Sequence, residues 1–237
     1  MNRQGSPLSA QGFTLVEVMI AMVILGLVLT GVVKMFTSTG RFHTSQEMMV
    51  SLTQDMRAVR TLMVQEIREA GCNPKHLIRI GFQTSSDDRY NTDADSIHFT
   101  RDIDNGDGDD NLEPDGYPND RNEDIRYYRT RDNCTGTVGT ILTAGNNTPG
   151  CLRRETGPTG TTSGGQPVMA NVTKLQFKYY DTNDAELSPA VVLTTNAGLD
   201  KIRTVEIILT GQVANPGRTI EKIQTQQFRI KIRNMGI

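Results

Sequence analysis

The chain has 237 residues, a formal net charge of −2 and 22% charged residues. A nucleic-acid-binding domain is usually clearly basic, so this charge balance argues against that class. Trp is absent and aromatic residues make up only 5% of the chain. Apart from one apolar segment near the amino terminus, about 200 residues remain, which is enough for one soluble domain with its own core.

The apolar segment runs from Phe13 to Val33 and contains one charged residue, Glu17. At about 1.5 Å of rise per residue, a helix of this length crosses a hydrocarbon core of roughly 30 Å. A carboxylate in such a helix costs about 2.5–3.5 kcal/mol at the bilayer centre and somewhat less near its edge, so Glu17 predicts a partner. An ordinary secretory signal has a shorter apolar core, and a plain membrane anchor gives no reason for the glutamate.

A short polar leader, 1–11, precedes Gly12 and the sequence Phe-Thr-Leu-Val-Glu. This pattern resembles the class III signal of type IV prepilins and type II secretion pseudopilins. The resemblance implies that a prepilin peptidase cuts between Gly12 and Phe13 and then N-methylates Phe13. It also implies that Glu17 pairs with the terminal amine of a neighbouring subunit during filament assembly. A buried carboxylate and a buried ammonium each offset the other's desolvation.

The same resemblance implies the location of the protein and the division of the chain. The chain would cross the bacterial inner membrane once, with its carboxyl-terminal domain in the periplasm, and would enter a filament after assembly. The expected parts are a cleaved leader (1–12), a long helix (13–71) that spans the membrane to about residue 36, and a periplasmic β-rich domain (72–237).

An apolar stripe continues the helical pattern beyond the span. Its residues recur at steps of three, four and seven, as on one face of an amphipathic helix. They are Met49, Leu52, Met56, Val59, Leu62, Met63, Ile67 and Ala70. Gly71 fits a helix carboxyl-terminal cap, and Pro74 prevents continuation. We therefore expect one helix from about Thr14 to Ala70, with its second half packed on the soluble domain.

After Gly71 the pattern changes to alternation with period two, which is typical of strands. The expected strands are Ser96–Arg101, Ile125–Thr130, Val138–Thr143, Cys151–Glu155, Val172–Tyr180, Val191–Thr195, Thr204–Val213 and Gln226–Arg233. A long helix followed by an antiparallel sheet is an α+β layout. That layout is compatible with the pilin-like fold that the signal implies.

Two later segments resemble one particular group of pilins. Val64–Pro74 contains Ile-Arg-Glu-Ala-Gly, and 172–181 contains Leu-Gln-Phe-Lys-Tyr-Tyr-Asp. Both resemble minor pilins of the PilW type, which implies a role in type IV pilus assembly or initiation, at or near the filament tip. Its partners would be the peptidase and other minor and major pilins. The J-type minor pseudopilin of type II secretion is an alternative, and a membrane-tethered calcium-dependent binding module is an alternative of another class.

The stretch 102–124 holds ten acidic residues separated by Gly and Asn. Ca²⁺ takes about six to eight oxygen ligands from flexible loops of this composition. The candidate ligands are Asp102, Asp104, Asp107, Asp109 and Glu113. The EF-hand template fits at its first two acidic positions and its last but fails in the middle, so its geometry is not assumed. The competing interpretation is a solvated acidic loop.

The chain has three cysteines, and the periplasm is an oxidising compartment where disulfides persist. Cys134 and Cys151 flank a predicted strand and could close a hairpin-like loop. Cys72 lies at the expected helix end, and it could be free or pair with either of the others. No Cys-x-x-Cys pair supports zinc or redox chemistry. The histidines are isolated and no catalytic or phosphate-binding motif occurs, so we do not expect an enzyme.

Overall fold

The computed structural model describes residues 12–85, 91–103, 113–120, 122–135, 138–157, 164–188, 193–213 and 222–235. The chain divides into two compact units at Glu47 and Met48. Helix α1, Leu15–Arg68, begins in the first unit and ends in the second. The second unit contains the whole sheet.

The second half of α1 packs on the sheet through the apolar stripe. Leu52, Met56, Val59, Met63 and Ile67 are buried in one hydrophobic core with the inward-facing residues of the strands. Each fully buried side chain of this size contributes about 1.5–3 kcal/mol relative to an exposed one. The predicted packing of an amphipathic helix on an antiparallel sheet is confirmed.

Helix α1 ends at Arg68, two residues before the predicted end. The turn that follows places Gly71 at φ +77°, in the left-handed region that favours glycine. Its N–H donates to the carbonyl of Thr100, 3.0 Å away, which ties the helix end to the sheet. A Cβ on Gly71 would lie 2.7 Å from Met235 Sδ, so a larger residue here would also have to displace the Met235 side chain.

The seven strands found among the described residues form one antiparallel sheet. They are β1 (Ser96–Thr100), β2 (Asp124–Thr130), β3 (Gly150–Thr156), β4 (Gln166–Tyr180), β5 (Glu186–Leu187), β6 (Thr204–Val213) and β7 (Lys222–Lys231). The spatial order is β1-β2-β3-β4-β6-β7, and β5 pairs with the end of β4. A short helix, α2 (Asn196–Leu199), precedes β6. Strands β1 and β7 are therefore the two edges of the sheet.

Two predicted strands are absent from the described part of the chain. In the segment predicted as 138–143, Ile141 makes an isolated bridge to Thr130 and no continuous strand forms. Gly139 lies inside this segment, and a glycine within a strand weakens it because it has no side chain to pack. A Cβ built on Gly139 would lie 2.1 Å from the carbonyl oxygen of Arg131, directly after β2. In the segment predicted as 191–195, Thr195 instead caps α2 by accepting from the N–H of Gly198. Residues 191–192 lie outside the described residues.

Candidate assembly site on the amino-terminal helix

The predicted cleavage point directly precedes α1. Gly12, Phe13 and Thr14 lie before the first helical residue, Leu15. The Phe13 side chain is 88% exposed, and no atom lies within 4 Å of a Cβ built on Gly12. Among the described residues, none apart from its chain neighbours packs against Gly12.

Glu17 and Thr14 bond to each other across the first turn of α1. The Thr14 N–H donates to Glu17 Oε2 at 2.9 Å, and the Thr14 hydroxyl donates to the same oxygen at 3.0 Å. In return, the Glu17 N–H donates to Thr14 Oγ1 at 3.3 Å. This reciprocal arrangement is a capping box, which satisfies backbone donors that a helix start leaves free.

The capping box gives Glu17 a partner within its own chain, which the sequence interpretation did not include. The signal was present in the sequence, because Thr-x-x-Glu before an apolar run has capping-box spacing. Thr14 keeps its amide N–H after a cut between Gly12 and Phe13, so the box remains possible in the processed subunit. A negative charge in the first turn also interacts favourably with the helix dipole.

The residues after Glu17 form an apolar surface around the helix. Every residue from Leu15 to Thr44 is exposed within the chain, and those up to Val33 are mostly Val, Ile, Leu and Met. Among the described residues, one helix, α1, is both long enough and apolar enough to cross a membrane. A helix that is apolar on all sides is buried in lipid or among other helices.

Comparison with known proteins identifies this segment. Residues 8–33 match the family model described as the prokaryotic N-terminal methylation motif. The chain carries a class III prepilin signal. The signal is followed by a long helix whose second half packs on an antiparallel sheet, the layout expected from that signal. The signal implies processing by prepilin peptidase and assembly with other pilins, and with the apolar helix it is consistent with membrane anchoring.

A type IV-like pilin from Thermus thermophilus is similar to the chain at 12% sequence identity and a TM-score of 0.43. The alignment covers 78% of this chain and 98% of that pilin. No curated protein sequence matches the chain.

The candidate calcium ligands are only partly described. Asp104, Asp107 and Asp109 lie outside the described residues, Glu113 is exposed, and Asp102 is fully buried. Burial raises the pKa of the Asp102 carboxyl, and the backbone N–H of Gly116 acts in the opposite direction. Within the described ranges, Asp102 and Glu113 belong to no group of carboxylates with converging oxygens. Calcium binding stays a prediction.

Cys134 and Cys151 form a disulfide with their Cα atoms 5.1 Å apart. The carboxylate of Asp132 lies close to both sulfur atoms, but sulfurs bonded to each other are not available as thiolate metal ligands. Cys72 is free and partly buried. Burial, together with the nearby carboxylates of Asp102 and Glu69, raises the pKa of its thiol, which makes it a poor nucleophile.

One histidine contacts a carboxylate. His98 lies in β1 with Nε2 2.7 Å from Asp124 Oδ1, and both side chains are almost fully buried. Asp124 also lies 3.7 Å from the guanidinium of Arg126, which is itself buried. This cluster ties β1 to β2 across the sheet and presents no exposed nucleophile.

Proposed function

We propose that the protein is a minor pilin of the PilW type, which takes part in starting or assembling a type IV pilus at or near the filament tip. The observation that carries this proposal is the prepilin signal, with Gly12 and Phe13 at the processing point and Glu17 as the one charge of the apolar segment. The body of the protein would stand in the periplasm, and its role would be structural rather than catalytic.

The proposed mechanism is an exchange of partners by Glu17. Before assembly, Thr14 satisfies the carboxylate within the same helix turn. On entry into a filament, the apolar surface of α1 leaves lipid and packs among the helices of other pilins. The amine of a neighbour's processed terminus then supplies the compensating charge that a hydroxyl and an amide lack.

The PilW-type assignment is supported by the end of α1 and by β4. The Ile-Arg-Glu-Ala-Gly sequence closes the helix at Arg68 and Gly71, and the Leu-Gln-Phe-Lys-Tyr-Tyr sequence forms the paired end of β4. A J-type pseudopilin of type II secretion would use the same signal. The two are separated by phenotype, because loss of the gene would remove surface pili in one case and secreted enzymes in the other.

The deciding experiment is the mass of the mature amino terminus, measured on membrane-extracted protein with and without prepilin peptidase. We expect N-methylated Phe13, and we expect it to be lost when the peptidase is absent. An intact Met1, or a cut beyond Val33, would contradict the filament role.

A membrane-tethered calcium-dependent binding module is the second candidate. It is favoured by Asp102, a fully buried carboxylate at the start of an acidic stretch, where a cation would offset the cost of burying charge. A tethered binder would be indifferent to the loss of Glu17 and to prepilin peptidase. The mass measurement therefore separates it from the minor pilin.

A further inference from the structure

The two edge strands of the sheet differ in whether their outward backbone groups are hydrogen-bonded. Edge strand β1 is covered by the segment 81–83, since the Gln83 N–H donates to the carbonyl of His98 and the Thr100 N–H donates to the carbonyl of Gly81. Phe82 also bridges Phe99. The backbone groups on that edge are thus paired within the protein.

Edge strand β7 pairs with β6 along ten residues in an uninterrupted register. No other backbone hydrogen bond is made by Lys222–Lys231 within the part of the chain that the structure describes. Alternate residues of an antiparallel edge strand direct their N–H and C=O groups away from the sheet. Native edges are commonly blunted by proline, bulges or charged side chains. Strand β7 has no proline and no bulge, and its charged residues, Lys222, Arg229 and Lys231, are all positive.

One flank of α1 runs alongside β7. Thr53 Oγ1 donates to Gln224 Oε1 at 2.8 Å, Arg60 stacks over the ring of Phe228 at 5.4 Å, and the Arg233 N–H donates to the carbonyl of Arg68. This flank holds a groove of 640 Å³. The lining residues are Arg57, Arg60, Thr61, Val64, Gln65 and Arg68.

The three arginines of this groove have no carboxylate partner among the described residues, whereas Arg79, Arg101, Arg126, Arg153, Arg154 and Arg229 each contact one. Arg57, Arg60 and Arg68 are all exposed. They span about 16 Å of helix, which is the length of roughly five strand residues. Among the described residues, a row of positive charge without carboxylate partners therefore lies beside a strand edge without backbone partners.

We propose that β7 and these three arginines form a docking surface for an acidic, extended segment of a neighbouring pilin subunit, which adds to the sheet as a further strand. Main-chain hydrogen bonds to β7 would supply affinity, and carboxylates on alternate residues would meet the arginines. The identity of the partner as a pilin rests on the proposed function, but the chemistry of the surface does not.

The test uses the full chain in detergent and a fluorescein-labelled peptide of alternating Glu and Val as the probe. We expect saturable binding by fluorescence anisotropy, with hydrogen-exchange protection of β7 amides. The triple change R57E/R60E/R68E should weaken binding about tenfold or more. The milder R57Q/R68Q variant keeps the Arg60 stacking contact and should also weaken peptide binding. The matched control is Arg131→Glu, which reverses the charge of an exposed arginine directly after β2 and should not affect peptide binding.

A peptide N-methylated at alternate residues cannot form the strand ladder and should not bind. Equal binding of that peptide, or of a Lys and Val peptide, would overturn the proposal. So would binding that is insensitive to the arginine changes. If a short DNA duplex binds through the arginines and the acidic peptide does not, the surface binds phosphate and the proposal is wrong. None of these outcomes affects the processing of Phe13, so failure here is distinct from failure of the proposed function.

Discussion

Arg154 of β3 pairs with Glu66 of α1, and its Nε donates to both carboxylate oxygens at 3.0 Å. The hydroxyl of Tyr127, on β2, donates to the same carboxylate. Burial raises the pKa of Tyr127, and Glu66 adds to the shift, so the phenol remains a donor at any physiological pH. These contacts set the position of the helix along the sheet.

Replacement of Arg154 by Met should destabilise the protein by about 3 kcal/mol, because it leaves the Glu66 carboxylate buried without its cation. Chemical denaturation of the full chain in detergent measures the change. The double variant Glu66→Leu/Arg154→Met should lose less than the single variant, since it removes both charges. Arg57→Met on the exposed flank is the control and should change stability by less than about 0.5 kcal/mol. A single variant as stable as the control would contradict the role of this pair.

The disulfide between Cys134 and Cys151 should stabilise the domain by about 3 kcal/mol, because the residues are 17 apart and the bond restricts the unfolded chain. The melting temperature of the wild type should therefore fall on reduction. Cys151→Ser should have the lower melting temperature from the start and should not respond to reductant. Cys72→Ser serves as the control, and it should keep the full response.

Asp132 links the disulfide loop to β3 and should make stability depend on acid. Burial alone would raise the pKa of its carboxyl, but the Arg153 guanidinium at 2.9 Å, the Thr130 hydroxyl and the N–H groups of Gly139 and Cys134 hold that pKa well below its usual range. The unfolded chain therefore binds a proton more readily than the folded one. The stabilisation is present above about pH 4 and is lost as the pH falls further.

In Asp132→Asn we expect lower stability at neutral pH and a flatter decline between pH 4 and pH 2 than in the wild type, measured by thermal melts across that range. Asp200→Asn removes a half-exposed carboxylate that pairs with Arg79, and such pairs contribute little. Its acid profile should match that of the wild type. An unchanged acid profile in Asp132→Asn would rule out Asp132 as a source of acid sensitivity.

Glu17→Gln should abolish or strongly reduce filament assembly while leaving the protein in the membrane, since the amide carries no charge to pair with an ammonium. Surface filaments counted by electron microscopy provide the measurement. Glu47→Gln makes the same chemical change at an exposed position of α1 and should assemble normally. Normal filaments in Glu17→Gln would contradict the assembly mechanism.

Calcium should raise the melting temperature if the acidic stretch binds it. At ten times its dissociation constant the ion would add about 1.4 kcal/mol, and extracellular sites of this kind have constants of about 10⁻⁴–10⁻³ M. A titration to about 10 mM therefore covers the range. Asp102→Asn should remove the response, and Asp184→Asn, an exposed carboxylate elsewhere, should retain it. The absence of any shift in the wild type would exclude a stabilising calcium site.

The amino-terminal helix was predictable because its signals are local. The apolar run, the glutamate and the Thr-x-x-Glu spacing all lie within a few helical turns. The bounds of β6 were also predicted correctly, since apolar residues alternate at Val205, Ile207 and Leu209. The segment 138–143 has similar alternation, yet among its residues only Ile141 makes a bridge, to Thr130. Its pairing depends on the neighbouring strand β2, which the local sequence pattern does not indicate.

Contacts between residues far apart in the sequence could not be predicted either. Nothing near Glu66 in the sequence indicates Arg154, 88 residues later, and nothing near Arg57 indicates that β7 lies beside it. Such neighbours follow from strand order, which the alternation of single strands does not specify. The docking surface could therefore be recognised only in three dimensions.

The position of β7 beside α1 has a consequence for biosynthesis. The apolar stripe of the helix is translated early, whereas Phe228 and Ile230, which complete its cover, come about 170 residues after Val59. At roughly 5–20 residues per second, that stripe waits on the order of ten to thirty seconds for its last strand. With the amino-terminal part of α1 in a bilayer, as the proposed function requires, the stripe would be held apart from other nascent chains during that wait. Membrane insertion before folding would thus protect the surface that the finished domain buries.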